Sequence, residues 1–287
     1  MNKRLRLIAP AKINWSLDIL GRRADGYHLL STPMQAVGLY DTVTVSVSSA
    51  DSCVCNVELA GENLALKAWR LFRDSFGIDG YAAIEIKKNI PAGAGLGGGS
   101  ADAAALLLGA RRLFAPQVSD DELAALALRI GTDLPFFLRG GLCLAEGVGE
   151  RLTPLPGRRW QLLLAAPAVA LSTAQVYAAN RCDSHYAGYD GAALCAAVAA
   201  GDIAAIAANA YNALETAAFV LAPAVGELKR RLIAMGAQAA LMSGSGSGVW
   251  ALFAEQERRQ AAARQLTRLG VANWQVETVD AGIIIDG

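Results

Sequence analysis

The 287-residue chain carries 26 basic and 26 acidic side chains and is 54% hydrophobic, long enough for one large or two ordinary domains around a substantial core. Balanced charge gives no sign of the basic stripe of a nucleic-acid binder or of a membrane-binding face, and leaves room for a locally basic pocket. The start, MNKRLRLIAP, has too few apolar residues for a signal peptide and no later stretch reaches transmembrane length, so a cytoplasmic setting is expected. Two histidines exclude a histidine-rich metal centre. The five cysteines, Cys53, Cys55, Cys143, Cys182 and Cys195, form no regular framework and read as reduced thiols packed as small hydrophobes.

In chain order, residues 4–9, 12–20 and 42–48 alternate apolar and polar positions, a period-2 pattern that predicts strands. GRRADG at 21–26 is a polar turn. Residues 62–76 predict a helix with Leu64, Ala68, Leu71 and Phe72 on one face. YAAIEIKK at 81–88 is a strand that runs into NIPAGAGLGGGSADAAALLL, and residues 100–114 predict a helix with Leu106, Ala110, Leu113 and Phe114 on one stripe. Ser119 and Glu122 make a capping-box pattern for the next helix, which Gly131 ends. After TDLPFFLRGG and a short strand, GLCLAEG, the proline-rich LTPLPGRR marks a boundary between domains 1–157 and 158–287. Beyond it come a strand (WQLLLAAP), an alanine-rich helical region over 173–235, and two strands around 237–242 and 249–254 joined by SGSGSG. A helix over 255–269 and a closing strand, NWQVETV, complete the chain. This mixed order predicts α+β architecture in both halves, the second a small sheet covered by helices.

Five of the seven residues from Gly93 to Gly99 are glycine, and three mechanisms compete for them. A Walker phosphate loop needs Lys-Ser or Lys-Thr after the glycines, which is absent. Gly93, Gly95 and Gly98 satisfy G-x-G-x-x-G between a strand and a helix, the context of a dinucleotide fingerprint. That fold then needs a parallel strand ending in a ribose-holding acid; here a second helix follows, with Asp120 and Asp121 in its first turn. A nicotinamide-dependent oxidoreductase therefore stands as a rival on this match alone. The third reading is an anion cradle, in which backbone N–H groups converge at a helix N-terminus. Ser100 would add a hydroxyl for a phosphate oxygen or a magnesium ion, and Asp102 reads as ordinary first-turn capping.

IPAGAGLGGGSADAA is similar to the Pro-x-x-x-Gly-Leu-Gly-Ser-Ser-Ala motif of the GHMP kinase superfamily, which includes galactokinase, homoserine kinase and mevalonate kinase. PAKINWSLDILGRRADGYHLL at 10–30 and GTDLPFFLRGGLCLAEGVGERL at 131–152 resemble signatures of one family within it, the 4-diphosphocytidyl-2-C-methyl-D-erythritol kinases. MSGSGSGVWALF resembles the superfamily's third glycine motif, so the likeness runs from Pro10 to Phe253. It implies a two-domain α+β GHMP-kinase fold, with a ribosomal-protein-like N-terminal domain and a ferredoxin-like C-terminal domain. It also implies phosphorylation of the substrate's 2-hydroxyl from ATP with Mg2+.

The same resemblance assigns residues. ATP would lie along Pro91, Ala92, Gly93, Ala94, Gly95, Leu96, Gly97, Gly98, Gly99, Ser100 and Ala101, with Asn63, Leu64 and Lys88 at the adenine and Ser100 toward Mg2+. Tyr27 would stack on cytosine and His28 hydrogen-bond its edge; Asn14, Thr173 (near the diphosphate) and Tyr177 (a second stacking aromatic) would complete the substrate side. Lys12 and Asp133 would be catalytic. Taken alone, the strand face of Lys12, Asn14, Ser16 and Asp18 reads as solvent-facing and Asp133 as a turn aspartate; the resemblance turns Lys12, Asn14 and Asp133 toward the reacting centre. Trp15, Ala101 and Thr132 depart from the family's usual leucine, serine and alanine. Rival readings are another GHMP kinase, acting on homoserine or mevalonate, and a catalytically inactive nucleotide-binding module. A monomer or weak homodimer is expected, without nucleic-acid or membrane partners.

Overall fold

The computed structural model describes residues 4–58, 61–181 and 184–286. Its first half runs β1 (Arg4–Asn14), β2 (Asp18–Arg22), β3 (His28–Ser48), β4 (Ser52–Cys55), α1 (Leu64–Phe76), β5 (Tyr81–Lys87), α2 (Gly98–Phe114), α3 (Asp120–Ile130), α4 (Leu134–Arg139), β6 (Leu142–Gly147) and β7 (Arg151–Leu155). β3, 21 residues long, organises the sheet by pairing antiparallel with β1, β2, β5 and β6 along its length, while β4 joins β5 in parallel.

Helices cover one face of this sheet. Leu7, Val43, Val45 and Ile84 meet Trp69 and Phe72 of α1 and Leu106 and Leu107 of α2. The buried face of α1 is Ala65, Ala68, Trp69 and Phe72, displaced from the predicted Leu64–Leu71 edge because the two aromatic rings carry more apolar area inward. α2 buries every residue from Ala101 to Leu107 rather than one stripe. It lies between the sheet, α1 and α4, and its alanines permit that approach. The predicted capping box at Ser119 and Glu122 forms, and Gly131 is the C-cap of α3.

The second half runs β8 (Gln161–Ala166), α5 (Thr173–Ala179), α6 (Gly191–Ala200), α7 (Ile203–Asn209), α8 (Glu215–Leu221), α9 (Pro223–Ala234), β9 (Ala239–Met242), β10 (Val249–Leu252), α10 (Gln256–Arg268) and β11 (Ala272–Glu277), ending in β12 (Ile284–Asp286). β8 to β11 form an antiparallel sheet in the order β11-β8-β10-β9, the β-α-β-β-α-β arrangement of a ferredoxin-like unit. The sheets hand over between Leu155 and Gln161, on either side of residue 157. β12, which has no periodic signature in the sequence, returns to pair with β1 in the first sheet. Cys53, Cys55, Cys143 and Cys195 are free thiols; Cys182 lies outside the described residues. No helix among the described residues is long and apolar enough to cross a membrane.

The predicted strand over 12–20 breaks between Asn14 and Asp18. There Trp15 N–H donates to Pro33 O and Leu17 N–H to Tyr211 O, turning the chain toward the second half. Trp15 is wholly buried and packs edge-on against Trp160 at 5.9 Å and Trp250 at 5.1 Å, so the family departure at this position joins the two halves. Trp15→Ala is expected to lower stability by about 3–5 kcal/mol through the cavity it leaves; an unfolding free energy from denaturant titration within about 0.5 kcal/mol of wild type would contradict that role.

Candidate active site

A cleft of about 1270 Å³ runs between the halves. Its floor is the glycine loop, whose conformation separates carbonyls from amides. Gly93 O accepts from Ser247 N–H, Ala94 O from Gly248 N–H, Leu96 O from Lys12 N–H and Gly97 O from Ala101 N–H, and Gly95 O accepts from the Ser243 hydroxyl. The carbonyls are thus spent on protein. Among the described residues, none of the amides from Ala92 to Gly97 donates to protein, and Gly98, Gly99 and Ser100 open α2, where helical amides have no intrahelical partner. This asymmetry leaves loop and helix end together with donors free to face an anion.

Gly97 shows why glycine is needed. It adopts φ +73°, and a Cβ there would lie 2.5 Å from the Phe137 ring and 3.0 Å from Lys12 Cγ. That proximity brings the loop against the catalytic pair read from the sequence. Lys12, at the end of β1, is 4% exposed. Its Nζ donates to Asn14 Oδ1 at 2.6 Å and stands 3.9 Å from Asp133 Oδ2. Burial pulls the Lys12 ammonium below the usual lysine range, and the Asp133 carboxylate opposes that shift. Asp133 precedes α4, a six-residue helix with Pro135 in its first turn and Leu134, Phe136 and Phe137 buried. Those three anchors go inward and leave the carboxylate 37% exposed in the cleft.

The polar strand face is therefore buried, and it divides. Lys12 and Asn14 serve the cleft, whereas Ser16 shares a hydrogen bond with the Tyr189 hydroxyl and Asp18 holds His185 and the Tyr186 amide. At the far end, Tyr27 is 60% exposed at the cleft mouth, and the His28 ring lies 5.1 Å from that of Tyr177. The Thr173 hydroxyl shares a 2.8 Å hydrogen bond with Ser245 of the SGSGSG turn, which links the substrate-side helix to the glycine loop's support.

On the nucleotide side, Asn63 caps α1 through its Oδ1 and Leu64 lies beside Gly99. Lys88 lines the cleft, but its Nζ is committed to Asp41 and, at 2.6 Å, to Asp102. Asp102 is accordingly a buried ion-pair partner rather than a helix cap. Burial pushes its carboxyl up to about 7 against the pull of the Lys88 ammonium, with the Asp41 carboxylate adding to the rise. Ala101 is corrected: it is wholly buried in the first-half core and contributes no side chain to the cleft, because its position on α2 points toward the sheet. Every other residue assigned from the sequence lines the cleft.

Residues 63–141 match the GHMP kinases N terminal domain model and residues 194–272 the GHMP kinases C terminal model. A Clostridium botulinum 4-diphosphocytidyl-2-C-methyl-D-erythritol kinase is 39% identical over 257 residues, covering 88% of this chain and 92% of the relative. This chain belongs to that GHMP kinase family. The crystal structure of a 4-(cytidine 5'-diphospho)-2C-methyl-D-erythritol kinase superposes on this family member with a TM-score of 0.81 at 36% identity, covering 97% of this chain and 99% of the other. A homoserine kinase from Cytophaga hutchinsonii shares the fold at a TM-score of 0.72 and 19% identity, over 100% and 98% of the two chains.

Two residues supporting this GHMP kinase site escape sequence reasoning. Asp41 accepts from the Asn89 and Ile90 amides at 2.6 and 2.8 Å and so holds the start of the glycine loop. Asn212 donates to Met242 O and Gly244 O, holding the SGSGSG turn. Both act across long sequence separations and carry no local motif.

Proposed function

We propose that this chain transfers the γ-phosphoryl group of ATP to the 2-hydroxyl of 4-diphosphocytidyl-2-C-methyl-D-erythritol. The observation carrying this reading is the Lys12–Asp133 pair, 3.9 Å apart, beside a loop whose amides face the cleft while its carbonyls are bound to protein. The activity named for relatives at this identity agrees with it.

Asp133 accepts the hydroxyl proton as the substrate oxygen forms its bond to the γ-phosphorus, and the bond from that phosphorus to the β-bridging oxygen breaks, leaving ADP. Lys12 supplies positive charge to the attacking oxygen and the transferring group in a buried setting where that charge acts strongly. The loop amides and the α2 N-terminus hold the other phosphates. Tyr27, His28 and Tyr177 take the cytosine, Asn14 and Thr173 the rest of the substrate, and Asn63, Leu64 and Lys88 border the adenine.

No group of three or more His, Cys, Asp or Glu side chains that could hold a metal occurs among the described residues. Mg2+ keeps several waters and binds through one or two protein groups plus substrate phosphates, a need that a single cleft-lining hydroxyl meets. Ser100, beside the loop amides, is the residue that would hold it; Mg2+ would neutralise charge on the phosphates. The balanced charge and the free thiols among the described residues support a cytoplasmic protein.

The test is ADP release with the cytidine compound, homoserine and mevalonate offered in turn. Turnover is expected with the cytidine compound alone. Indifference to it, with turnover on either alternative, would assign the chain to another GHMP substrate; no turnover on any would favour a nucleotide-binding module.

A further inference from the structure

Asn14 is held from several sides. Its amide N–H donates to the Ser243 hydroxyl at 3.3 Å and its carbonyl accepts from Trp250 Nε1 at 2.8 Å, so residues of the second half fix its backbone. What remains free is the rotation of its side-chain amide. The hydrogen bonds around that amide close in one sense only. The Lys12 ammonium can only donate, so the Asn14 atom 2.6 Å from it is the amide oxygen. The amide NH2 therefore faces Thr32 Oγ1 at 2.7 Å, and because an amide nitrogen accepts nothing, the threonine oxygen must be the acceptor. Its own proton then goes to Ser16 O at 2.6 Å, a group that can only accept.

We propose that Thr32 is a positioning residue for the catalytic lysine: its hydroxyl fixes the Asn14 amide, whose oxygen then holds the Lys12 ammonium facing Asp133. Thr32 suits this task. It is 3% exposed, and its backbone is set by pairing of β3 with β6 opposite Ala145. Its acceptor, Ser16 O, sits in the break between β1 and β2. Nothing in the relay from Ser16 O through Thr32 to Asn14 titrates, so its sense is the same at every working pH. The neighbours of Lys12 from the glycine loop and the SGSGSG turn, Gly97 and Gly244, bring no side-chain charge; Asp133, from the start of α4, is the charged group acting on Lys12 among the described residues.

Without Thr32 the amide can rotate and present its NH2 to the ammonium. Lys12 would then lose the one hydrogen-bonded acceptor its ammonium has among the described residues while still buried, and its charged form would be disfavoured further. The phosphate-binding amides lie elsewhere and would be untouched.

Thr32→Val keeps the shape and removes the hydroxyl, Thr32→Ala removes it with loss of volume, and Thr32→Ser retains it. The chain has six lysines, few enough to follow Lys12 by NMR of 15N-lysine protein, with its resonance assigned through Lys12→Arg. In substrate-free protein the Lys12 titration should move to lower pH in Thr32→Val and Thr32→Ala and stay in place in Thr32→Ser. The kinetic readout rests on the proposed function: kcat should fall roughly tenfold or more in the first two variants, with KM for ATP unchanged and the alkaline limb of the kcat profile moved down in pH. An unmoved Lys12 titration in both hydroxyl-free variants overturns the proposal, as does a Thr32→Ser variant that loses as much as Thr32→Val. A moved titration in a protein whose wild type turns over no cytidine compound upholds the positioning role and refutes the functional reading instead.

Discussion

Replacing Asp133 with asparagine is expected to lower kcat by about 10²–10⁴-fold, the usual contribution of a positioned general base, while KM for ATP changes little. Asparagine preserves the size and polarity of the side chain but cannot take the hydroxyl proton. The glycine-loop amides that would hold the phosphates belong to a different element from Asp133, which stands before α4, so nucleotide binding should survive. A second consequence follows at Lys12. Its charge is disfavoured by burial and supported by Asp133; with that support gone, the neutral amine is favoured further. The two residues should therefore act as a unit, and a Lys12→Ala, Asp133→Asn double variant should be little worse than the worse single variant. Steady-state ADP release with saturating ATP measures all three. Wild-type kcat in Asp133→Asn would remove this carboxylate from the mechanism.

Gly95→Ala should be more damaging than its size suggests, with ATP affinity falling at least tenfold and stability by about 2–4 kcal/mol. Gly95 sits at φ +68°, and a Cβ there would overlap the carbonyl oxygen of Ser243 and approach the backbone of Gly246. Both obstacles are main chain, so no side chain can swing away; either the loop or the SGSGSG turn must move. Because the loop's carbonyls are bound to that turn and its surroundings, displacement would scatter the amides facing the cleft. Gly270→Ala is the matched control. Its φ is +71° with nothing within 4 Å of the added Cβ, so it should lose about 1 kcal/mol from backbone strain alone and keep ATP affinity. Calorimetry with ATP and thermal unfolding of the two variants separate the effects; equal behaviour would mean that the close approach of the two glycine segments is unimportant.

Much of this molecule is legible locally because its signals are local. The period-2 runs at 4–9 and 42–48 became strands, the Ser119 capping box formed, and the glycine segment lies between a strand and a helix, as its neighbours in sequence require. Family resemblance then pointed to Lys12 and Asp133, neither of which stands out from an ordinary strand lysine or turn aspartate. Where local pattern competed with packing, packing prevailed. α1 rotated to bury Trp69 and Phe72, and Asp102, a plausible helix cap by position, went inward to Lys88.

By itself, then, the sequence determined the α+β class, the strand–loop–helix unit that presents backbone amides, and the family whose motifs it carries, since each depends on residues within about twenty positions of one another. The tertiary structure alone decided what those pieces do together. Lys12 becomes a buried cation because the second half closes over β1, bringing Trp250 and Ser243 onto Asn14 across 236 and 229 residues. Thr32 meets Asn14 only because β3 folds back beside β1, and β12 finds β1 from the opposite end of the chain. Such contacts are selected by shape and hydrogen-bond satisfaction in the assembled core, and they leave no period in the chain to be read beforehand.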